Sequence, residues 1–464
     1  MNALTQVIAA ISTPPGKGGV AVIRISGDGA LSVAESIFVP ASKKKLSDYP
    51  PREQIYGYIV DGGERIDDVL LCYFAAPHSY TGEDTVEICC HGGSFVTRAV
   101  LEAALSAGAR AAEAGEFTRR AFINGTLSLT EAEQIGMLLE AKNRQQMKLS
   151  SPTSRGRLGK SIAEIRGALV SIMSSIYARI DYPDEDLGDL SDIEVSDMLS
   201  EVSRNMSTLL STYRMGRAIS EGINTVICGK PNVGKSSLYN LLCGEEAAIV
   251  TDVPGTTRDV LRSTVSLGSV TLNIADTAGI RCEETIDRVE RIGIEKSRKH
   301  LSECELLFAL FDVSENFDDE DKAIIEEIKS SPATKIAILN KSDKGLKAKL
   351  CELEEIFDER LTVSVAEDGE GALCAIARAV DRLFTDEKIR IGEDAVVFSA
   401  RQNSALRRAY EFLELARRGL ADGFSQDAVS TDIERALGAI SELDGRAVSE
   451  EVVADIFAKF CVGK

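Results

Sequence analysis

The chain has 464 residues and a formal net charge of -20, from 53 Lys or Arg against 73 Asp or Glu. Its composition, 44% apolar and 27% charged, is typical of a globular protein and excludes a fibrous or wholly disordered one. A chain this acidic repels polyphosphate at long range, so an RNA substrate would need a local basic patch or a partner protein. The length predicts about three domains.

Cysteine usage and the start of the chain indicate the compartment. The ten cysteines include no Cys-x-x-Cys pair, and with only three histidines the sequence indicates neither a zinc site nor a disulfide framework. Residues 1–11 lack the basic n-region of a signal peptide, and no apolar run reaches the roughly 18 residues of a membrane span. We therefore expect a cytoplasmic protein without a membrane span.

Changes in sequence pattern along the chain predict a multidomain fold. Residues 1–120 combine Gly-rich turns with short apolar runs, which is typical of an α+β domain. Ser128–Glu131 has the pattern of a capping box and opens a long helical stretch that continues towards Ile180. Helical spacing resumes at 192–220 and again at 400–460, so we predict an all-α domain built from two separated segments.

Five β-rich runs between the helical segments predict an inserted α/β domain with a parallel sheet. They are Ile223–Cys228, Val270–Ala275, Leu306–Phe311, Lys335–Leu339 and Leu361–Ser364. The predicted boundaries are 1–120 for the α+β domain, 121–221 and 381–464 for the helical domain, and 222–380 for the insertion. Insertion of this kind is common because the termini of a domain often lie close together.

The strongest motif is Gly229–Ser236, which fits G-x-x-x-x-G-K-[ST] and stands between a predicted strand and a predicted helix. Its glycines let backbone N–H groups surround phosphates, Lys235 neutralises the β and γ oxygens, and the Ser236 hydroxyl binds Mg²⁺. The predicted contacts with the nucleotide in this loop are Asn232, Val233, Gly234, Lys235, Ser236 and Ser237.

Three further motifs arrive in the order that a GTPase requires. Thr257 is placed to close over Mg²⁺ and the γ-phosphate, Asp276 lies near the water shell of the metal, and Asp343 can accept from the N1–H and 2-amino groups of guanine. The predicted contacts are Thr251, Asp252, Val253, Pro254, Gly255, Thr256, Thr257, Asp276, Thr277, Ala278, Gly279, Asn340, Lys341, Asp343 and Ser364.

The hydrolytic machinery departs from that of Ras-like enzymes. Ile280 stands where those enzymes keep the glutamine that orients the attacking water. Asn232 offers a side-chain oxygen beside the phosphates, and carbonyls of the Thr251–Thr256 loop offer more. We therefore expect a monovalent cation to neutralise the charge that an arginine finger neutralises elsewhere.

Motifs outside the α/β insertion show a family resemblance over nearly the whole chain. They are Pro14–Gly19, Ile23–Gly27, Ser79–Asp84, His91–Gly93, Gly115–Thr118, Arg120–Asn124 and Phe460–Lys464. In these the sequence closely resembles the bacterial MnmE (TrmE) family of tRNA-modification GTPases, of the TrmE-Era-EngA-like group. The resemblance implies a homodimer that works with the flavoprotein MnmG, as a heterotetramer or larger, on the wobble uridine of certain tRNAs.

The resemblance also implies two sets of ligands. The N-terminal domain would bind 5,10-methylenetetrahydrofolate, or its analogue 5-formyltetrahydrofolate, through Arg24, Glu83, Thr126 and Lys464, although some relatives carry lysine where this chain has Thr126. The K⁺ ligands would be Asn232, Thr251, Val253 and Thr256, and the Mg²⁺ ligands Ser236 and Thr257.

Two implied catalytic residues have ordinary alternatives. Glu290 corresponds to the proposed catalytic carboxylate, but a solvated glutamate at a helix start is the alternative. Cys461 is implied in the modification chemistry, but a lone cysteine is often a buried, inert packing residue.

Two rival functions share the GTPase motifs. One is a ribosome-assembly GTPase, which would need a basic RNA-binding appendage. The other is a membrane-scaffold GTPase of the dynamin type, which would need a lipid-binding segment.

Basic residues at 142–160 could contact tRNA or form a solvated helix face.

Overall fold

The computed structural model describes residues 6–42, 44–181, 190–244, 262–275, 304–348, 353, 355–386 and 388–463. The chain divides into two compact units, which are described separately. The first comprises Met1–Leu139, Arg155–Leu199 and Glu411–Lys464, and the second comprises Glu140–Ser154 and Ser200–Tyr410. Within the described ranges, no helix has the length and apolarity needed to cross a membrane.

The first unit begins with a seven-stranded sheet that carries two helices. The elements are β1 (Ile8–Ile11), β2 (Val20–Ser26), α1 (Ala30–Ile37), β3 (Phe38–Pro40), β4 (Gln54–Asp61), β5 (Glu64–Phe74), β6 (Thr85–His91), α2 (Ser94–Ser106) and β7 (Arg110–Ala111). The strand order is β3-β4-β5-β6-β2-β1-β7, antiparallel except for the parallel pair of β1 and β7. Alternating apolar residues, such as Ile23 and Ile25 on β2, form its core with the two helices. The α+β prediction is confirmed.

Helices follow in the order that the sequence pattern predicts. They are α3 (Glu116–Ile123), α4 (Leu129–Leu139), α5 (Arg144–Leu149), α6 (Arg157–Asp181), α7 (Asp192–Ser211) and α8 (Tyr213–Ser220). Ser128 and Glu131 form the expected capping box at the start of α4, with bonds of 2.8 and 3.3 Å in the two directions. The helical stretch predicted towards Ile180 is helical, and the structure divides it into α4, α5 and α6.

The second unit contains a six-stranded sheet. Its elements are β8 (Ile223–Cys228), α9 (Lys235–Cys243), β9 (Arg262–Leu267), β10 (Val270–Ala275), β11 (Leu306–Asp312), α10 (Asp319–Lys329), β12 (Thr334–Asn340), β13 (Glu359–Thr362) and α11 (Gly369–Phe384). The order is β13-β12-β11-β8-β10-β9, parallel except for the hairpin of β9 and β10. The central strand β11 is buried along almost its whole length, as expected for a sheet covered on both faces.

Three helices complete the chain: α12 (Ala400–Ala421), α13 (Gln426–Leu443) and α14 (Glu450–Ala458). Within the first unit, α13 packs along α6, and α14 packs on α3. Phe457 and Phe460 join Leu129, Ala132 and Ile135 in one apolar cluster. The helix that follows the N-terminal sheet domain and the last helix therefore share a core, as the discontinuous helical domain requires.

Candidate functional site

The phosphate-binding motif forms a tight loop between β8 and α9. Gly229 and Gly234 have φ angles of 144° and 108°, which favour glycine. A Cβ at Gly234 would overlap the side-chain amide of Asn340, and one at Gly229 would overlap the carbonyl oxygen of Leu310. Both glycines are therefore required by backbone conformation and by close packing.

Lys235 and Ser236 stand at the start of α9, where unpaired backbone N–H groups favour anions. The ammonium of Lys235 donates to the carbonyl oxygens of Gly229 at 2.6 Å and Lys230 at 2.8 Å, so it lies across the loop. Ser236 is exposed, and its hydroxyl is an oxygen ligand of the kind that Mg²⁺ prefers. Lys235 is therefore placed to contact a phosphate, and Ser236 to contact a Mg²⁺ ion bound to it.

The base-recognition motif meets the phosphate loop through Asn340. Its amide donates to the carbonyl of Val233 at 2.8 Å, and its side-chain oxygen accepts from the N–H of Val365 at 3.0 Å. The Ser364 hydroxyl donates to the Asp343 carboxylate at 2.6 Å. The structure thus brings together the predicted residues Val233, Asn340, Asp343 and Ser364, and Asn340 connects two loops.

Two buried or partly buried ion pairs support this site, and neither was predicted from the sequence. Lys341, at φ 63°, donates to Asp312 at 2.6 Å. Burial opposes ionisation of Asp312, but bonds from Lys341 and Ser314 outweigh it and hold its pKa below the ordinary value. Lys230 donates to Asp321, at 2.8 Å, on α10. The bond to Asp321 is the main cause of the raised pKa of Lys230. In both pairs the partner acid lies far away in sequence, so no local pattern indicates them.

Several predicted contacts lie outside the described residues. They are Thr251, Asp252, Val253, Pro254, Gly255, Thr256, Thr257, Asp276, Thr277, Ala278, Gly279, Glu290 and Lys464. Among the described K⁺ candidates, Asn232 is exposed and has a φ of 66°. Its side chain is therefore open to a ligand beside the loop.

A second cluster of polar residues surrounds the 79–84 loop of the N-terminal sheet. The guanidinium of Arg24 donates to Glu87 at 2.8 and 2.9 Å and lies 5.3 Å from the ring centre of Tyr80. The hydroxyl of Thr126 lies 3.2 Å from the carbonyl oxygen of Tyr80. Tyr80 therefore stands between two of the residues predicted to bind folate.

Glu83 lies in the same loop and is held by two donors. Arg120 donates to its Oε2 at 3.1 Å, and the Ser26 hydroxyl donates to the same oxygen at 3.2 Å. Arg24, Glu83 and Thr126 are thus collected around one loop. Arg120 was not predicted as a site residue, although it stands in a motif that carries the family resemblance.

The end of the chain packs against the N-terminal sheet. Val462 forms a β-bridge with Ala114, the Gly115 N–H donates to the Cys461 carbonyl at 3.4 Å, and the Ser12 hydroxyl donates to the Gly463 carbonyl at 3.0 Å. The thiol-bearing Cys461 is exposed. Cys461 is therefore not a buried packing residue, unlike Cys90, which is 3% exposed.

Two family models cover most of the chain. The model described as the GTP-binding protein TrmE N-terminus matches residues 7–126, and the MnmE helical domain matches residues 129–461. The chain belongs to the MnmE family of tRNA modification GTPases. Its relatives include proteins named tRNA modification GTPase MnmE from Clostridioides difficile (37% identical), Heliobacterium modesticaldum (38%) and Finegoldia magna (39%). Each alignment covers 99% of this chain and 99 or 100% of the relative.

Membership of the MnmE family makes the chain a GTP-hydrolysing enzyme of tRNA modification, and such an enzyme binds GTP and Mg²⁺. Among solved structures, Era in complex with MgGDPNP and a fragment of 16S ribosomal RNA is 21% identical, with a TM-score of 0.27, over 41% of this chain and 66% of that chain. A likeness at that level does not bear on function, and the match to MnmE-family relatives sets the ribosome-assembly alternative aside.

Proposed function

We propose that this chain is a K⁺-dependent GTPase that modifies C5 of the wobble uridine of certain tRNAs together with the flavoprotein MnmG. The group added would be an aminomethyl or carboxymethylaminomethyl group. The full-length match to tRNA modification GTPases carries this proposal. A cytoplasmic homodimer, paired through the N-terminal domain, and the domain boundaries 1–120, 121–221, 222–380 and 381–464 belong to the same proposal.

The GTP site supplies binding and charge neutralisation. Lys235 would exchange its two carbonyl partners for phosphate oxygens, since both are strong acceptors at the same position. Asp343 would accept from the guanine edge while Ser364 fixes its orientation. Without a glutamine after Gly279, an exposed oxygen at Asn232 supports a K⁺ ion that would compensate negative charge on the phosphates.

The residues around the 79–84 loop fit a folate. A carboxylate accepts two hydrogen bonds from adjacent N–H donors, which is the pattern a pterin edge presents to Glu83. Arg24 adds a positive charge and Tyr80 an aromatic surface nearby. Bound 5,10-methylenetetrahydrofolate would supply the one-carbon unit, and the exposed Cys461 would take part in the transfer.

A titration of the full chain with 5-formyltetrahydrofolate tests the proposal, because neither rival GTPase function expects folate binding. We expect saturable binding at one site per chain. A chain that hydrolyses GTP but does not bind the folate would contradict the proposed one-carbon chemistry, and binding to lipid vesicles instead would favour a membrane-scaffold function.

A further inference from the structure

Three separate sequence motifs converge on one buried arginine in the N-terminal domain. Ser26 and Gly27 come from Ile23–Gly27, Glu83 from Ser79–Asp84 and Glu116 from Gly115–Thr118, and they surround Arg120, which begins the motif that follows. The side chain of Arg120 is 1% exposed. A Cβ at Gly27 would lie 3.0 Å from the Cα of Val7 and 3.2 Å from the Gln6 carbonyl oxygen, and 3.4 Å from Nη1 of Arg120, so this glycine lies against the guanidinium and its backbone neighbours.

The guanidinium of Arg120 is divided among three acceptors. Nη1 donates to Glu83 Oε2 at 3.1 Å, while Nη2 donates to Glu116 Oε1 at 3.0 Å and to the Gln6 carbonyl at 2.8 Å. A buried charge is stable only when it is paired and hydrogen-bonded, so Arg120 requires these partners.

Glu116 has a second cationic partner, Arg110, besides Arg120. Arg110 donates to it at 2.6 and 3.1 Å, and the Glu113 N–H donates at 2.9 Å. Burial alone would raise the pKa of Glu116, but the bonds from Arg110, Glu113 and Arg120 outweigh it and the pKa is lowered. The positive charge of Arg120 is therefore available to Glu83.

Glu83 is more exposed than its partners, with 21% of its side chain accessible. Arg120 and Ser26 both bind Oε2, and a carboxylate has about four acceptor positions in all. No side chain or backbone group of the described residues bonds Oε1, so the remaining positions, chiefly on that oxygen, are open to a ligand. A carboxylate fixed in this way loses little rotamer freedom when the ligand binds.

We propose that Arg120 is a positioning residue that holds the Glu83 carboxylate oriented for a ligand with two adjacent N–H donors. The ligand class is that of a pterin edge, so this inference rests on the proposed folate site. Glu116 in turn orients Arg120, four residues along α3. The three motifs thus build one support behind the ligand-binding carboxylate.

Lysine cannot replace Arg120 in this role. A planar guanidinium reaches Glu83 with one nitrogen and Glu116 with the other, whereas a single ammonium is a point charge on a flexible stem. Arg119 precedes it on the same helix and has no hydrogen bond to Glu83 within the described part of the chain. Arg119→Lys is therefore the matched control.

A double-mutant cycle on the full chain tests the proposal by titration with 5-formyltetrahydrofolate. We expect Arg120→Lys to weaken binding about tenfold or more, and Arg119→Lys to leave it unchanged. In a Glu83→Gln background, Arg120→Lys should have little further effect, because Arg120 acts through Glu83. If Arg120 had only a structural role, Arg120→Lys would weaken folate binding by the same factor in the natural sequence and in the Glu83→Gln variant. That result would overturn the proposal.

Two further outcomes are informative. If the natural sequence binds no folate, the proposed folate function fails, and this inference fails with it. If it binds and the cycle is additive, the folate function stands and only the role of Arg120 fails. Thermal melting establishes that each variant is folded, and Arg120→Gln repeats the cycle if the lysine variant does not fold.

Discussion

The side-chain amide of Asn340 donates a 2.8 Å hydrogen bond to the carbonyl of Val233, which joins the end of β12 to the phosphate loop. The same side chain accepts from Val365, so the base-recognition and phosphate-binding loops share one support. Asn340 is only 4% exposed, which makes it a structural element of the site as well as part of a recognition motif.

Replacing Asn340 by alanine should weaken binding of GTP and GDP to a similar extent, by about tenfold. The substitution leaves the Val233 carbonyl and the Val365 N–H without their partner, and both nucleotides depend on the loop that these groups shape. Isothermal titration with each nucleotide measures the effect, and Ser342→Ala in the same loop is the control. Unchanged GDP affinity in the Asn340 variant would show that the phosphate loop keeps its shape without this bond.

Asp343→Asn should shift base preference from guanine to xanthine nucleotides. The carboxylate accepts from two donors on guanine, whereas an amide can accept from N1–H and donate to the 2-oxo group of xanthine. We expect the variant to lose GTP affinity by about a hundredfold or more and to gain affinity for XTP. Competition between GTP and XTP for the variant measures this preference. Retained preference for GTP would mean that another residue reads the base.

Glu83→Ala should weaken 5-formyltetrahydrofolate binding at least about tenfold, because buried ligand donors would lose their acceptor. Glu64→Ala, at an exposed position on β5, is the control for a lost carboxylate. GTP hydrolysis, which uses the other unit of the chain, should be unchanged, and thermal melting establishes that the unit with the substitution is folded. Equal folate affinity in the Glu83 variant would exclude this carboxylate from the ligand site.

Cys461→Ser should abolish tRNA modification. It should change the free energy of unfolding by no more than about 0.5 kcal/mol, because Cys461 is exposed and bonds Gly115 through its backbone. The measurement is the modified-nucleoside content of tRNA after reaction with the chain and its flavoprotein partner. Cys374→Ser, at another exposed cysteine, is the control. Normal modification by the Cys461 variant would exclude the thiol from the chemistry.

Local sequence patterns predicted strands of the second unit. The strands at Ile223–Cys228 and Val270–Ala275 have the predicted bounds, because each is a short apolar run between clear turn signals. The edge strand β13 is Glu359–Thr362 rather than Leu361–Ser364, since an exposed edge strand has little apolar alternation to fix its register. The break between α5 and α6 was not predicted, although residues 150–156 contain Pro152 and Gly156 and no apolar residue, which is a turn signal.

The support behind the second site could not be predicted in the same way. Arg120 and Glu83 are 37 residues apart in sequence, and at the phosphate-loop site Lys230 and Asp321 are likewise 91 apart. Helical and strand periodicities relate only near neighbours, so they give no information on such pairs. The family resemblance identified the segments that contain Arg120 and Glu83, and only the tertiary structure shows that the two side chains meet.

The most direct test of the account is steady-state GTP hydrolysis in K⁺ and in Na⁺ at matched ionic strength. Asn232 has a φ of 66°, so Asn232→Gly removes its side-chain oxygen without the backbone strain that alanine would add. We expect the natural sequence to hydrolyse GTP about tenfold faster or more in K⁺ than in Na⁺, which is less than the roughly 10⁵-fold gain from an arginine finger. The Asn232→Gly variant should hydrolyse GTP at similar rates in the two salts. Equal rates in the two salts would contradict the cation mechanism.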